Sequence, residues 1–216
     1  MYKFETIYHY HMYISKQNLT TDENEIIEFI TQYSFAAIVT SNNDRPNASH
    51  LPFVIEKRGD KTILIGHFAK ANPQWKELLN NEVLVVFSEP HAYISPKLYD
   101  KELNVPTWNY IAVHAYGKAR ILSETTHMLE VMEKSINAFE ADYMTQWNKL
   151  PEEYKLKMLN GIVAFEIEVS SFEASKKLSQ NKTSAEQHRI IESLSRSEHD
   201  VERQIGIYMK KEIKDL

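Results

Sequence analysis

Cysteine is absent from this 216-residue sequence, which excludes disulfide bonds, thiolate metal sites and cysteine nucleophiles. A chain without cysteine is typical of a reducing compartment. Long apolar runs are also absent, since no stretch reaches the roughly 18 apolar residues that a membrane-spanning helix needs. The N-terminus lacks the basic start and apolar stretch of a secretory signal peptide. These absences predict a cytoplasmic protein with no membrane partner.

Glycine and proline are scarce, with 5 and 7 occurrences, so no low-complexity linker marks a domain boundary. Boundaries therefore have to be read from changes of pattern. Residues 1–11 have no usable periodicity, and a disordered leader explains their His9 and His11 better than a metal site does. The sequence predicts this leader, one domain over residues 12–182 and a helical extension over residues 183–216.

Excess positive charge is missing as well. The net charge is −5, whereas a protein that binds DNA phosphates over a large surface is normally basic. Residues 176–216 differ from the rest, because they hold 9 Lys and Arg residues against 7 Asp and Glu residues. No helix-turn-helix with a basic recognition helix is visible. Any contact with DNA is therefore expected through this C-terminal region.

The sequence does contain a series of short β-type runs. Six to seven are recognisable over residues 34–169, and Gly59-Asp60 suits a two-residue hairpin between two of them. One helix is expected at residues 74–81, with Asn72 as its N-cap and Pro73 in its first turn. The pattern predicts a mainly β fold with helices (α+β), in which six to seven antiparallel strands form a closed or half-closed barrel and two amphipathic helices follow.

Three local expectations can be checked directly against a structure. A Thr20…Glu23 capping box predicts a helix start. The helix inserted among the strands is expected to bury Trp75, Leu78 and Leu79 on one side. The β pattern is expected to stop after Phe172.

Lys70 and Asn72 combine a cation with a capped helix start, which suits a phosphate group. An ordinary capped helix with a solvent-facing lysine explains the same spacing, so both interpretations stay open. His50 and His67 lie on expected barrel strands, where a hydrogen-bonded structural histidine is commoner than a catalyst. A metal site from these two and His114 lacks any HxH or HExxH spacing. The sequence therefore predicts no metal and no catalytic residue.

Four longer blocks are more specific than any single residue: residues 66–76, 90–96, 105–117 and 177–182. Together, and in this order, they resemble the signature segments of the PaiB family of FMN-binding negative transcriptional regulators. The resemblance implies a bacterial homodimer built on the flavin-binding split β-barrel, the fold shared with pyridoxamine-phosphate oxidases and flavin reductases. It also implies repression of genes for degradative enzymes and sporulation. The sequence departs from the family pattern at Ser15, Glu89, Lys97 and Leu98.

The resemblance also implies which residues contact FMN. The phosphate is expected at Lys70 and Asn72, in the turn that follows the third strand, and His50 and His67 complete this group of candidates. A second group is expected near the flavin ring, because aromatic planes stack on it and amides reach its carbonyl edge. For Trp108 and Asn109 the alternative is packing in the core or in a dimer interface. For Lys177, Ser179, Gln180 and Asn181 the alternative is a loop that caps the following helix.

Two functions fit this sequence. The first is an FMN-binding repressor, which acts on DNA directly or indirectly and is not an enzyme. The second is a flavin-dependent oxidoreductase of the pyridoxamine-phosphate oxidase or flavin reductase type, since one fold hosts many functions. In either case we expect a homodimer, because split barrels of this type place the flavin between subunits and the long run at residues 107–122 offers a shared surface.

Overall fold

The computed structural model describes residues 12–79 and 82–213, and the expected leader at residues 1–11 lies outside the described residues. Strands and α-helices are numbered here in chain order. The strands are β1 Leu19–Thr20, β2 Phe35–Asn42, β3 Arg45–Pro52, β4 Val54–Arg58, β5 Lys61–Ala69, β6 Val83–Phe87, β7 His91–Ile94, β8 Thr107–Leu122 and β9 Ile162–Lys177. The α-helices are α1 Glu23–Gln32, α2 Thr125–Phe139, α3 Met144–Trp147, α4 Glu152–Leu159, α5 Ser184–Ser195 and α6 Asp200–Glu212. Short 3₁₀ helices cover Lys16–Asn18, Pro73–Leu79, Pro96–Leu98 and Ala141–Tyr143.

The sheet confirms the predicted fold class. Seven strands follow the order β3-β2-β6-β8-β9-β5-β4, and the two short strands β1 and β7 pair with β9 and β8. Pairing is antiparallel between β2 and β3, β2 and β6, β4 and β5, and β5 and β9. The fold is thus a mainly antiparallel sheet with several helices, and its main path has the predicted number of strands. None of the helices within the described ranges is both long and apolar enough to cross a bilayer.

The chain divides into two compact units. Of the described residues, unit 1 comprises 12–22, 88–113 and 173–213, and unit 2 comprises 23–79, 82–87 and 114–172. Helices α5 and α6 belong to unit 1, together with β7 and the first part of β8. Each unit is described by itself below.

Unit 2 has an aromatic core. Phe53, Phe68, Phe87 and Phe165 are at most 1% exposed, and their rings lie 5.2–6.2 Å apart in contacting pairs. Phe53 separates two strands of this unit. It lies between β3 and β4, and its side chain enters this core at the point where the chain changes strands.

Two tight turns fix the register of the hairpins in unit 2. Asn43 and Asp44 join β2 to β3 with φ angles of 50° and 60°, in the left-handed region that Asn and Asp tolerate better than most residues. Gly59 joins β4 to β5 with φ +61°, so the expected hairpin is confirmed, with Arg58 paired to Lys61.

Unit 1 is built around α5 and α6. Helix α5 begins with a capping box, in which Thr183 accepts a hydrogen bond from the Glu186 amide and the Glu186 side chain accepts one from the Thr183 amide. Ile190, Ile205 and Met209 are at most 2% exposed, so the two helices supply much of the core of this unit.

Two expectations are wrong in unit 1. Strand β9 continues past Phe172 to Lys177, because Ala174 and Ser175 pair with β1 through their backbones. Backbone pairing does not depend on apolar side chains, so the polar side chains in this part of β9 do not end the strand. Thr20 is the partner of Ala174 in β1, whereas α1 begins only at Glu23. Helix α1 thus begins later than the Thr20…Glu23 pattern predicts, since Thr20 still belongs to a strand.

Candidate functional site

In unit 2, a turn follows β5 and leads into the 3₁₀ helix Pro73–Leu79. The Asn72 side chain accepts a hydrogen bond from the Gln74 amide at 3.0 Å, which confirms Asn72 as the N-cap. Its Nδ2 donates to Ser49 Oγ of β3 at 2.8 Å, so the turn is tied to the β2–β3 hairpin. The amide of Gln74 is occupied by this cap.

Gln74 is the residue of this turn that the sequence patterns missed. It is 3% exposed, and its Nε2 donates to Ile38 O, Thr40 Oγ1 and Asn47 O at 3.1–3.2 Å. Its Oε1 accepts a hydrogen bond from Ser49 at 2.5 Å. These contacts turn Gln74 inward and make the segment a 3₁₀ helix.

The inward turn of Gln74 changes the burial of its neighbours. Leu79 is 60% exposed and Trp75 is only half-buried, so the expected burial of both is wrong. Leu78 is buried as predicted, and the second buried position of this helix is Gln74.

Lys70 lies at the start of the turn. Its backbone carbonyl accepts a hydrogen bond from Trp75 Nε1 at 3.3 Å, and its amide donates to Gly161 O at 2.8 Å. Its side chain is exposed and has no hydrogen-bond or ion-pair partner among the residues that the structure describes. Lys70 is therefore held by its backbone, while its ammonium group stays available to an anion.

The two candidate histidines occupy different strands of unit 2. His50 is exposed on β3 and stacks on Phe35, with ring centroids 6.4 Å apart. Its neighbour Ser49 joins the Asn72 network, because alternate residues of a strand face opposite sides. His67 is half-buried on β5, and this burial lowers its pKa, so the ring is neutral near pH 7. Across the described part of the chain, no three His, Asp or Glu side chains cluster as metal ligands do.

Unit 1 holds a cavity of about 350 Å³, which is within the size range of small-molecule sites. It brings together five of the predicted cofactor residues: Asn109, Lys177, Ser179, Gln180 and Asn181. The remaining lining residues are Gln17, Asn18, Tyr99, Asn104, Val105, Pro106, Thr107 and Lys182. Trp108 is not part of the lining, because it follows the opposite face of β8 and is 52% exposed beside Tyr93.

Hydrogen bonds fix one wall of this cavity. Asn109 is fully buried, and its Oδ1 accepts a hydrogen bond from Ser179 Oγ at 3.0 Å. Ser179 has φ +60°, a strained value for serine that is typical of functional loops. The Lys177 ammonium donates to Thr107 Oγ1 at 2.5 Å, and Gln180 Oε1 accepts from the Leu178 amide at 2.7 Å.

Asn18 and Tyr99 also line the cavity. Each is 8% exposed, and the Oδ1 of Asn18 and the hydroxyl of Tyr99 have no hydrogen-bond partner among the described residues. The Lys182 ammonium lies 3.6 Å from the centroid of the Tyr99 ring. Burial, together with the charge of Glu186, raises the pKa of Tyr99, which keeps its proton. No sequence signal marks Asn18 or Tyr99, because they stand alone and far from the C-terminal block.

Comparison with known proteins identifies the family of this chain. Residues 12–171 match the family described as "Putative FMN-binding domain". The chain belongs to this family. FMN is therefore the cofactor that family membership assigns to it.

A curated relative extends the match almost to full length. The chain is 40% identical over 210 residues to "Protease synthase and sporulation protein PAI 2" of Bacillus subtilis, covering 94% of this chain and 99% of the relative. This family member is thus a PaiB-like FMN-binding protein, as its sequence blocks predict.

Solved structures support the split-barrel fold. A FAD- and heme-binding protein of Mycobacterium smegmatis has a TM-score of 0.60 at 10% identity, covering 79% of this chain and 78% of that one. The flavocytochrome Anf3 of Azotobacter vinelandii has a TM-score of 0.59 at 13% identity, covering 73% and 68%. At such identities the likeness concerns the fold alone.

Within each unit, the residues present fit FMN. The turn of unit 2 offers the unpaired ammonium of Lys70 to a phosphate. The lining of the cavity of unit 1 includes two lysines and no Asp or Glu, which suits the electron-rich oxygens of a flavin. When bound, FMN supplies hydride and electron chemistry, while the protein supplies binding, orientation and electrostatics.

Proposed function

We propose that this protein is an FMN-binding negative transcriptional regulator of the PaiB type, located in the cytoplasm. The observation that supports it is the 40% identity to the Bacillus subtilis sporulation protein over 94% of this chain and 99% of the relative. Such coverage extends beyond residue 171, where the match to the FMN-binding family ends, into the region of α5.

The proposal assigns the FMN phosphate to the turn in unit 2. Lys70 supplies the charge, and Asn72 shapes the turn around it. The Gln74 amide already donates to the Asn72 cap, so it is not free to bind the phosphate. The ammonium of Lys70 therefore supplies a larger share of the attraction for the phosphate than it would beside a helix end with free amides. His50 and His67 remain proposed neighbours of the cofactor on their strands.

Residues of unit 1 that the sequence predicts near the flavin ring remain proposed contacts, considered within that unit alone. Trp108 has an exposed aromatic side chain of the kind that stacks on such a ring. The fixed polar wall of the cavity supplies the other contacts through Asn109, Lys177, Ser179, Gln180 and Asn181. The two sets of residues are tested by separate substitutions.

We further propose a homodimer. In unit 2, β3 ends the strand order, and an unpaired strand edge is a ready surface for a second chain. Phe35, on the neighbouring strand, is 65% exposed, and Leu79 is 60% exposed. Unit 2 thus has two large apolar side chains exposed to solvent, and a second chain could cover them.

DNA contact is proposed through α5 and α6. The last turn of α6 carries Lys210 and Lys211. Arg196 pairs with Glu192 at 2.6 Å, and Arg203 bonds with Asp200, so part of the local positive charge is neutralised within the helices. The exposed lysines are therefore the ones to test.

A gel-shift experiment tests the regulator. Purified protein should shift the promoter fragments of sporulation and protease genes but not scrambled DNA, and the shift should weaken as salt rises, because phosphate contacts release counterions. Exchange of both Lys210 and Lys211 for Glu should weaken the shift, whereas exchange of Lys155 and Lys157 on α4 should not. Equal shifts of all DNA, or none, would contradict the proposal. Bleaching of bound flavin by NAD(P)H would favour an oxidoreductase instead.

A further inference from the structure

Unit 2 contains a cavity of about 570 Å³ that none of the predicted cofactor residues lines. Its walls come from β4, β5, β8 and β9, and its size is within the range of small-molecule sites. The turn with Lys70 follows Ala69, the last residue of β5, whereas the cavity is lined by Lys61, the first residue of that strand. At about 3.3 Å per residue, the two ends of β5 lie roughly 25 Å apart along the strand. The cavity is therefore separate from the turn.

The lining of this cavity is basic, although the chain as a whole has a net charge of −5. Four basic residues face it against two acidic ones: Arg58, Lys61, Lys118 and Arg120 against Glu166 and Glu168. A recess lined by an excess of one charge concentrates the electric field and attracts ions of the opposite sign. The cavity thus favours anions.

Glu166 holds two arginines without using all of their donors. It is buried, and its two oxygens accept hydrogen bonds from Arg58 Nη1 at 2.7 Å and Arg120 Nε at 2.6 Å. Arg120 makes no other hydrogen bond or ion pair within the described part of the chain. Its guanidinium group is therefore fixed through Nε, while both Nη groups remain available to another acceptor.

Lys118 supplies a second cation on the same strand. Its side chain is exposed and has no hydrogen-bond or ion-pair partner among the described residues. It precedes Arg120 by two positions in β8, and alternate residues of a strand point to the same face. Lys61, in contrast, pairs with Glu168 at 2.8 Å. A fixed guanidinium group beside a free ammonium group is a typical pair of donors for a phosphate.

We propose that this cavity is a second binding site, and that it takes a small phosphorylated molecule. Arg120 and Lys118 bind the phosphate, and the rest of the molecule covers the apolar lining residues Ile63 and Val169. A phosphate monoester carries nearly two negative charges at neutral pH, so it fits the excess of basic residues better than a carboxylate with one charge does. The site goes beyond the proposed function, because it shares no residue with the assigned FMN contacts.

Phenyl phosphate is a suitable probe, since it joins a phosphate to a small apolar ring. Calorimetric titration is done with one equivalent of FMN present, and is repeated without FMN on Lys70→Glu, whose turn repels anions. Both should give a dissociation constant of about 1 mM or less. Benzoate should bind about tenfold more weakly, and phenol should not bind. No binding of phenyl phosphate up to about 10 mM, or equal binding of benzoate, would overturn the proposal.

Substitutions then locate the phosphate. Arg120→Gln should weaken phenyl phosphate about tenfold or more, because charge-assisted hydrogen bonds are lost. Lys118→Gln breaks no contact within the described chain and should weaken it about fivefold, so the site stays testable if Arg120→Gln does not fold. Arg45→Gln and Lys157→Gln change exposed side chains of the same types in unit 2 and should leave the affinity unchanged. Unchanged affinity in Lys118→Gln or in folded Arg120→Gln would overturn the assignment.

Two further outcomes identify other sources of phosphate. A short DNA duplex should not displace phenyl phosphate; if it does, and if its own affinity falls in Lys118→Gln, the cavity belongs to a nucleic-acid surface and the small-molecule site fails. FMN affinity should be the same in Arg120→Gln and wild type; if it falls, the cavity holds the phosphate of FMN and the second site fails. Absence of any FMN binding would leave the titration of Lys70→Glu to test the cavity alone.

Discussion

At the scale of single residues, Lys70 is the side chain on which the phosphate assignment depends. Its ammonium is free of partners in the described chain, and the nearest helix amide is already capped by Asn72. Lys76 lies on the same segment, but its ammonium rests over the Trp75 ring at 5.7 Å from the centroid. The pair therefore offers a site residue and a matched control.

We expect Lys70→Ala to weaken FMN binding roughly ten- to hundredfold, which corresponds to the loss of one charge-assisted hydrogen bond. Lys70→Glu should weaken it further, since repulsion replaces attraction at the same point. Riboflavin, which lacks the phosphate, should lose little from either change, and Lys76→Glu should affect neither ligand. Fluorescence-quench titrations decide the matter, and equal FMN affinity of all variants would place the phosphate elsewhere.

Glu166 is a second residue with a measurable role, in stability. It is 7% exposed, and Arg58 Nη1 and Arg120 Nε donate to its two oxygens at 2.7 and 2.6 Å. Burial alone would raise the pKa of Glu166, but the hydrogen bonds from Arg120 and Arg58 outweigh burial and hold the pKa below its ordinary value. The carboxylate thus stabilises the fold above the ordinary pKa of glutamate, and this contribution is lost as pH falls through the lowered value.

Glu166→Gln should therefore lower the free energy of unfolding by about 1–2 kcal/mol at pH 7. This cost is smaller than the cost of breaking a fully buried ion pair, because both arginines are partly exposed to solvent. The difference from wild type should shrink as the pH falls below about 4. Glu168→Gln, at an exposed pair with Lys61, should cost less than about 0.5 kcal/mol. Urea unfolding at several pH values measures both, and a pH-independent difference would contradict the role of the charge.

At the scale of elements, the sequence predicts those features that depend on residues close together in the chain. The Gly59 hairpin, the Asn72 cap and the number of strands follow from neighbouring residues, and the structure confirms them. The sequence does not predict features that depend on contacts between residues far apart in the chain. The 3₁₀ helix depends on Gln74 reaching β2 and β3, and the end of β9 depends on backbone pairing with β1.

The candidate site divides in the same way. The C-terminal block and Asn109 meet in one cavity because the family resemblance carries information on tertiary contacts. Asn18 and Tyr99 reach the same cavity from separate segments, where no spacing or periodicity links them to it.

The close approach of β8 and β9 in unit 2 gives a prediction at this scale. A Cβ atom at Gly117 would lie 2.4 Å from the backbone oxygen of Glu168, so the strands would have to separate. Gly117→Ala should destabilise the protein by about 3 kcal/mol or more. Gly59→Ala meets no atom within 4 Å and should cost only about 1–2 kcal/mol through its positive φ. Thermal unfolding should rank the two variants in this order, and the reverse order would contradict the register of β8 and β9.

At the scale of the whole molecule, the proposed homodimer is the first matter to test. Light scattering at micromolar concentration should return twice the 25.3 kDa mass of the chain. Exchange of the exposed Phe35 and Leu79 for Asp should shift the mass towards the monomer, because charges on a buried interface are costly. The same exchange at Tyr154 and Met158, exposed on α4, is the control and should leave the mass unchanged. A monomeric wild-type protein would remove the proposal.

The most direct test of the whole account is whether the purified chain retains FMN. The cofactor-free protein is incubated with FMN and separated from unbound flavin by gel filtration, and absorbance is recorded between about 350 and 500 nm, where the flavin ring absorbs. The account predicts that flavin absorbance elutes with the protein at one FMN per chain, and that FMN binds more tightly than riboflavin. Elution of all flavin apart from the protein, at FMN concentrations up to about 1 mM, would contradict it.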